Sequence, residues 1–147
     1  MEVGLSLSLP RDEMSVPVAR RIVETSMQAI GVLADCSADV ALALTEAATN
    51  VLKHAGPGEE YEVRFHLDNE ICTVDVVDLG AGFDTSALGD GAASDSESGR
   101  GVQLMRALVD DVHFESDPAD GTFVRLRKSI TYGDGTLLDR AVGADPR

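Results

Sequence analysis

The sequence has few basic residues. Lys and Arg total 12 against 26 Asp and Glu in 147 residues, which gives a formal net charge of −14. Because such a charge repels the phosphate backbone of nucleic acid, we expect no direct nucleic-acid partner. A ligand that is itself an anion would need local positive potential from backbone amides, a bound cation or a single well-placed Arg.

Cysteines and long hydrophobic runs are also scarce. Cys36 and Cys72 have no metal-like spacing, so we expect reduced thiols, as is typical of a cytoplasmic protein. No stretch approaches the roughly 18 consecutive apolar residues that span a membrane, and no basic segment precedes a long apolar run. We therefore expect neither export nor membrane insertion. The chain does contain 44% hydrophobic residues, enough for the core of one domain.

Two hydrophobic periods alternate along the chain and predict an α/β fold. Apolar residues at every second position, ending at Pro10, predict a first strand, and steps of three and four residues predict amphipathic helices. We expect helices over residues 16–33, from an N-cap at Ser37 to 55, and from 102 onward. We expect further strands over residues 61–67, 71–77, 112–116 and 122–130. The predicted domain is residues 1–131, with a mobile lid at about 84–100 and a disordered tail at 132–147.

A first candidate motif lies on the second predicted helix. Glu46 and Asn50 are one helical turn apart, on a polar flank that also carries Lys53. The amide oxygen of Asn50 is a hard, neutral ligand suited to Mg²⁺, and Glu46 is placed to accept a proton from a substrate hydroxyl. The alternative is that these side chains only solvate the helix.

A second motif, Asp78-Leu-Gly80-Ala-Gly82-Phe83, follows the predicted hairpin of residues 61–77. Glycines let the backbone approach a ligand closely, and a buried carboxylate would accept a hydrogen bond from the 6-amino group of adenine. Guanine presents a carbonyl oxygen there and would be repelled, at a cost of about 1–3 kcal/mol. The alternative is an ordinary turn at the end of a strand.

A third motif, Gly99-Arg100-Gly101-Val102, precedes the last predicted helix. Glycines ahead of a helix expose its first N–H groups, which together with the helix dipole form a phosphate site. Arg100 adds a cation, although a solvent-facing Arg is the commoner outcome at any one position.

In order and spacing, the three motifs resemble the N box and the two glycine boxes of the GHKL ATPase family. The boxes look like Glu-Ala-Ala-Thr-Asn-Val-Leu-Lys-His-Ala from Glu46, the segment from Asp78 to Phe83, and Ser-Gly-Arg-Gly-Val-Gln-Leu-Met from Ser98. Within that family the chain is most similar to the anti-sigma factor serine/threonine kinases of Gram-positive bacteria. The resemblance spans about residues 3 to 130.

The resemblance implies a two-layer α/β sandwich, a mixed β-sheet with helices on one face, of the Bergerat ATP-binding type. It implies that Asn50 holds Mg²⁺, that Glu46 is the catalytic base, and that Arg20 or Arg21 contacts a partner protein. The ATP-binding residues that it implies are Asn50, Asp78, Gly80, Gly82, Phe83, Gly99, Arg100, Gly101, Val102 and Thr122.

The function implied is a kinase that phosphorylates a STAS-type anti-anti-sigma antagonist and sequesters a sigma factor. A nucleotide-dependent partner-switching module without kinase activity is the alternative, and a homodimer formed through the sheet is open. We do not expect the catalytic domain of a two-component histidine kinase, which would need a helical hairpin carrying a phosphoacceptor His. We also do not expect a chaperone-type or repair ATPase, which would need a second domain after the pocket.

Overall fold

The chain forms three helices and five strands in the residues that a computed structural model describes, which are 1–54, 60–78, 97–117 and 121–133. The strands are β1 (Val3–Pro10), β2 (Glu60–Leu67), β3 (Ile71–Asp78), β4 (Asp111–Asp117) and β5 (Gly121–Ser129). The helices are α1 (Ser15–Ile30), α2 (Ala34–His54) and α3 (Glu97–Leu108). The predicted order of elements is confirmed.

The five strands form one sheet in the order β1-β2-β3-β5-β4. Each hydrogen-bonded neighbour pair is antiparallel, so the prediction of a mixed sheet is wrong for the described residues. The reason is the position of β5. After β3 the chain passes through α3 to β4, which lies two strand positions from β3 in the sheet. The hairpin from β4 to β5 then places β5 between β3 and β4, antiparallel to each of them.

The helices cover one face of the sheet, which confirms the two-layer α/β sandwich. On β2, alternate side chains from Tyr61 to Leu67 are buried, while Arg64 and His66 between them are exposed. Phe65 and Leu44 of α2 belong to one continuous hydrophobic core. Burial of this apolar face is the main free-energy source that fixes both layers.

Two helix ends differ from the predicted bounds, since α1 ends at Ile30 and α2 begins at Ala34. Gly31 terminates α1 with φ of 112°, a conformation that favours glycine, and its N–H bonds to carbonyls of the last turn, as expected of a C-cap. The N-cap prediction at Ser37 is wrong, because α2 begins at Ala34. Ser37 is buried inside the helix, where its hydroxyl donates to the Leu33 carbonyl at 3.2 Å.

The predicted lid and tail overlap the described residues only at their ends. Residues 97–100 already belong to α3. At the start of the predicted tail, Tyr132 forms a β-bridge with Val32, and its hydroxyl donates to the Asp68 carbonyl at 2.9 Å. These contacts extend the ordered domain slightly beyond residue 131.

No helix in the described ranges is long and apolar enough to cross a bilayer.

The two cysteines are free thiols in different surroundings, which predicts different reactivity. Cys36 is half-buried on α2, whereas burial raises the pKa of the Cys72 thiol on β3 to about 12. Since the thiolate is the reactive species, iodoacetamide at pH 8 should alkylate Cys36 and leave Cys72 unmodified in the folded protein. Peptide mass spectrometry measures this, with alkylation in guanidinium, where both should react, as the control. Equal labelling of the folded protein at both cysteines would contradict the burial of Cys72.

Candidate functional site

The centre of the site is the polar flank of α2. Its apolar side, including Leu44, Ala47 and Val51, is fully buried in the core. Glu46 and Asn50 stand one turn apart beside that side, Glu46 partly exposed and Asn50 only 3% exposed. The Nδ2 atom of Asn50 is buried and has no hydrogen-bond partner within the described part of the chain. A buried amide N–H group without a hydrogen-bond partner lowers the stability of the fold by about 1–3 kcal/mol. Such a cost is typical of a residue that is retained to bind a ligand.

Gly101 of α3 lies against both of these side chains. A Cβ atom placed on Gly101 would lie 3.1 Å from Oε2 of Glu46 and 3.2 Å from Nδ2 of Asn50. Both distances are shorter than ordinary van der Waals contact, so only glycine fits here without displacing a neighbour. The first and third predicted motifs are therefore brought together by the packing of α3 on α2.

The third motif lies inside its helix and not ahead of it. Because α3 begins at Glu97, the backbone of Gly99, Arg100 and Gly101 forms its first turns. The first N–H groups of a helix have no intrahelical acceptor, so this end can still donate to an anion. Val102 is buried in the core and anchors the turn.

Asp78 ends β3, as the hairpin pattern predicted. Its side chain is fully buried, and its Oδ2 atom lies 3.4 Å from Nη1 of Arg11. On the neighbouring strand β5, Thr122 is in register with Asp78. The structure thus places these two predicted residues opposite each other at one end of the sheet.

The remaining predicted residues are only partly described. Gly80, Gly82 and Phe83 lie outside the described residues. Arg20 and Arg21 are exposed on α1, where they line a surface groove with Pro17, Glu24, Thr25 and Gln28.

Arg11 is a site residue that the sequence analysis missed. Its side chain is 9% exposed, which is rare for an arginine, and its partner is the carboxylate assigned to adenine. The available signal was a basic residue next to a strand-ending proline in a chain with only 12 basic residues.

These residues fit a magnesium-bound nucleotide. The unsatisfied Nδ2 of Asn50, a hydrogen-bond donor suited to a phosphate oxygen, lies against Gly101, where an added Cβ would crowd it. An Asn amide oxygen suits Mg²⁺, which is commonly held by one or two protein ligands together with phosphate oxygens and water. A buried carboxylate at Asp78 suits the amino group of a purine.

The sequence matches a known family along most of its length. A family model described as the histidine kinase-like ATPase domain covers residues 9–128. The chain belongs to the histidine kinase-like ATPase family. The predicted likeness to this family of ATPases is confirmed.

Relatives within the family are named as serine-protein kinases and anti-sigma factors. The serine-protein kinase RsbW of Bacillus velezensis is 30% identical over an alignment that covers 92% of this chain and 89% of the relative. The anti-sigma F factor of Caldanaerobacter subterraneus is 33% identical over an alignment that covers 63% of this chain and 70% of the relative. Both names agree with the predicted subgroup.

Two solved structures confirm the fold of this member of the family. The RsbU and RsbW domains of a Mycobacterium tuberculosis protein match with a TM-score of 0.69 at 18% identity, over 89% of this chain and 33% of that one. The histidine kinase domain of a blue-light activated kinase from Erythrobacter litoralis matches with a TM-score of 0.53 at 18% identity, over 94% of this chain and 66% of that one.

The contact of Gly101 with α2 predicts a specific functional defect for Gly101→Ala. Alanine is favoured over glycine in a helix by about 1 kcal/mol, which should offset the tight contact in the unliganded protein. Glu46 can swing away, but the buried Asn50 amide has little room, so Mg-ATP affinity should fall about tenfold. Titration calorimetry and thermal unfolding measure the two effects.

The matched control is Gly4→Ala on β1, where an added Cβ meets nothing within 4 Å. That variant should bind Mg-ATP like the parent. If Gly101→Ala bound Mg-ATP as tightly as the parent, the place where Gly101 of α3 contacts Glu46 and Asn50 of α2 would not be the nucleotide site.

Proposed function

We propose that this protein is an anti-sigma factor with serine/threonine kinase activity. It binds Mg-ATP, phosphorylates a STAS-type anti-anti-sigma protein and sequesters a sigma factor in the cytoplasm. The observation that carries the proposal is the convergence of Glu46, Asn50 and Gly101, which brings a carboxylate and an unsatisfied amide N–H together beside a glycine. The relatives named as serine-protein kinases and anti-sigma factors support it.

The proposal gives one role to each of Asn50, Glu46 and Gly101. Asn50 would hold Mg²⁺ through its amide oxygen, and the bound ion would neutralise charge on the phosphates. Glu46 would accept the proton of the attacking Ser or Thr hydroxyl, since its carboxylate lies beside the same glycine as Asn50. Gly101, which has no side chain to crowd these two groups, would leave them accessible to the triphosphate, and the N–H groups at the start of α3 would donate to it. Positioning and charge neutralisation supply most of the catalysis in phosphoryl transfer.

Asp78 would select the base. Its buried carboxylate would accept a hydrogen bond from the 6-amino group of adenine, and Thr122, in register with it, would add a hydroxyl nearby. Gly80, Gly82 and Phe83 would complete the pocket around the nucleotide. Gly99, Arg100 and Val102 would line the part of the pocket that binds its phosphates. These assignments follow the resemblance of the motifs.

The partner surface would include the exposed arginines of α1. Arg20 and Arg21 border the groove that continues along this helix to Gln28. These two exposed Arg side chains would attract an acidic patch on a sigma factor or antagonist, because they provide local positive charge on an acidic protein. A homodimer through the outer face of the sheet stays a prediction.

Transfer of label from γ-labelled ATP tests this function. The protein is incubated with Mg²⁺, labelled ATP and candidate STAS-type proteins, and label on a Ser or Thr of the STAS protein is expected. The same mixtures are passed over a sizing column with the sigma factor. Complexes that need ATP but carry no label would show a partner-switching module without kinase activity, and absence of ATP binding would contradict the nucleotide site itself.

A further inference from the structure

The ion pair between Arg11 and Asp78 is buried at both ends. The exposed fractions of the two side chains are 9% and 0%, and Nη1 of Arg11 lies 3.4 Å from Oδ2 of Asp78. By comparison, the Arg64–Glu62 pair on β2 has exposed fractions of 52% and 30%. Removing two charges from water is energetically costly, so a buried pair at a candidate site calls for a functional reason.

The backbone around Arg11 holds this side chain in place. Directly after β1, the N–H of Asp12 donates to the Pro10 carbonyl at 2.8 Å, so Arg11 lies at the apex of a tight turn. Asp12 then accepts hydrogen bonds from Met14 and Ser15, which join the turn to the start of α1. The guanidinium is therefore presented to Asp78 from a position fixed by its neighbours.

The charge state of Asp78 decides what this carboxyl group can recognise. An ionised carboxylate only accepts hydrogen bonds, whereas a neutral carboxyl group also has an O–H to donate. Adenine offers a 6-amino donor at this place, and guanine offers a carbonyl acceptor. A neutral Asp78 would therefore lose its means of rejecting guanine. A cation that pairs with one oxygen of the carboxylate fixes how the other oxygen is presented to a ligand.

We propose that Arg11 is a positioning residue for purine selection: paired with Oδ2, it fixes the Asp78 carboxylate as a hydrogen-bond acceptor for the 6-amino group of adenine. The inference rests on the proposed nucleotide site, and it adds the residue that makes that site selective. An Arg suits this role because its guanidinium stays charged when buried and is less strongly hydrated than an ammonium.

The test compares ATP and GTP affinities, measured by calorimetry with Mg²⁺, for the parent and for Arg11 variants. Arg11→Gln keeps a donor but removes the charge, and Arg11→Met is a second neutral variant in case one of the two does not fold. Either should reduce the preference for ATP over GTP at least about tenfold. Arg11→Lys, which keeps the charge, should recover most of the preference. Arg64→Gln removes the exposed pair on β2 and should leave the preference unchanged.

The ratio of the two affinities separates this role from a structural one. Equal losses of ATP and GTP affinity in the neutral variants would overturn the proposal, as would a preference that Arg11→Lys does not recover. Asp78→Asn serves as the reference. If Asp78→Asn lowers the preference while both neutral Arg11 variants keep it, only the inference on Arg11 fails. If the parent does not bind Mg-ATP, or Asp78→Asn binds both nucleotides like the parent, the proposed nucleotide site fails as well.

Discussion

Replacing Glu46 by Gln is expected to slow phosphoryl transfer to the STAS-type antagonist about 10²- to 10⁴-fold, the usual contribution of a general base. Gln has almost the same shape as Glu, so the contact with Gly101 and the packing of α3 on α2 should be kept. Mg-ATP affinity should change little, because the proposed metal ligand is Asn50 and the proposed adenine-binding carboxylate is Asp78. The variant thus separates the chemical step from nucleotide binding.

Single-turnover transfer of label from γ-labelled ATP measures this effect, alongside a calorimetric titration of Mg-ATP. The matched control is Glu70→Gln, which makes the same change at an exposed position in the β2-β3 turn, at the far end of β3 from Asp78. It should transfer label at the parent rate. A Glu46→Gln variant that transfers label as fast as the parent would leave Glu46 without a catalytic role, even if the protein proves to be a kinase.

Local sequence signals predicted the elements that local chemistry determines. The β2-β3 hairpin was predicted from alternation over residues 61–67, turn-forming residues at Asp68-Asn69-Glu70 and β-branched residues over 71–77. In the structure Asp68 makes that turn, accepting from the N–H groups of Glu70 at 2.8 Å and Ile71 at 2.7 Å. These two bonds also lower the pKa of Asp68. The position of Asp78 follows from the length of β3, so a site residue could be placed from local signals.

Long-range pairing could not be predicted in the same way. Alternation indicates a strand but not its neighbour, and the insertion of β5 between β3 and β4 depends on packing across the whole sheet. The N-cap at Ser37 was predicted because serine favours that position. In the structure Ser37 is buried against the core and α2 begins about one turn earlier, at Ala34. Tertiary packing therefore outweighs the preference of serine for the N-cap at this helix end.

The contacts that define the candidate site also join residues that are far apart in the sequence. Gly101 contacts Asn50, about fifty residues earlier in the chain, and Arg11 pairs with Asp78, more than sixty residues later. Nothing in the neighbourhood of Arg11 in the sequence points to a buried carboxylate near the middle of the chain. The family resemblance supplied the nucleotide motifs, but only the folded chain shows what faces them.

Asn50→Ala is expected to lower Mg-ATP affinity at least about 100-fold without lowering the stability of the unliganded protein. Loss of a partner in the outer shell of a metal site costs about 10- to 100-fold, so loss of the only proposed protein ligand should cost no less. The same substitution removes a buried Nδ2 that has no hydrogen-bond partner among the described residues, which offsets the packing that the shorter side chain gives up.

Calorimetry with Mg-ATP and thermal unfolding without nucleotide measure the two halves of this prediction. Asn69→Ala is the matched control, an exposed Asn in the β2-β3 turn whose Oδ1 accepts from the N-terminal ammonium at 2.9 Å. It should bind Mg-ATP like the parent. A purely structural Asn50 would give the opposite pattern, with lower stability and unchanged affinity, since a satisfied buried amide stabilises the fold and an unsatisfied one does not. Affinity and stability that move apart on this substitution would therefore identify Asn50 as a residue retained for its ligand.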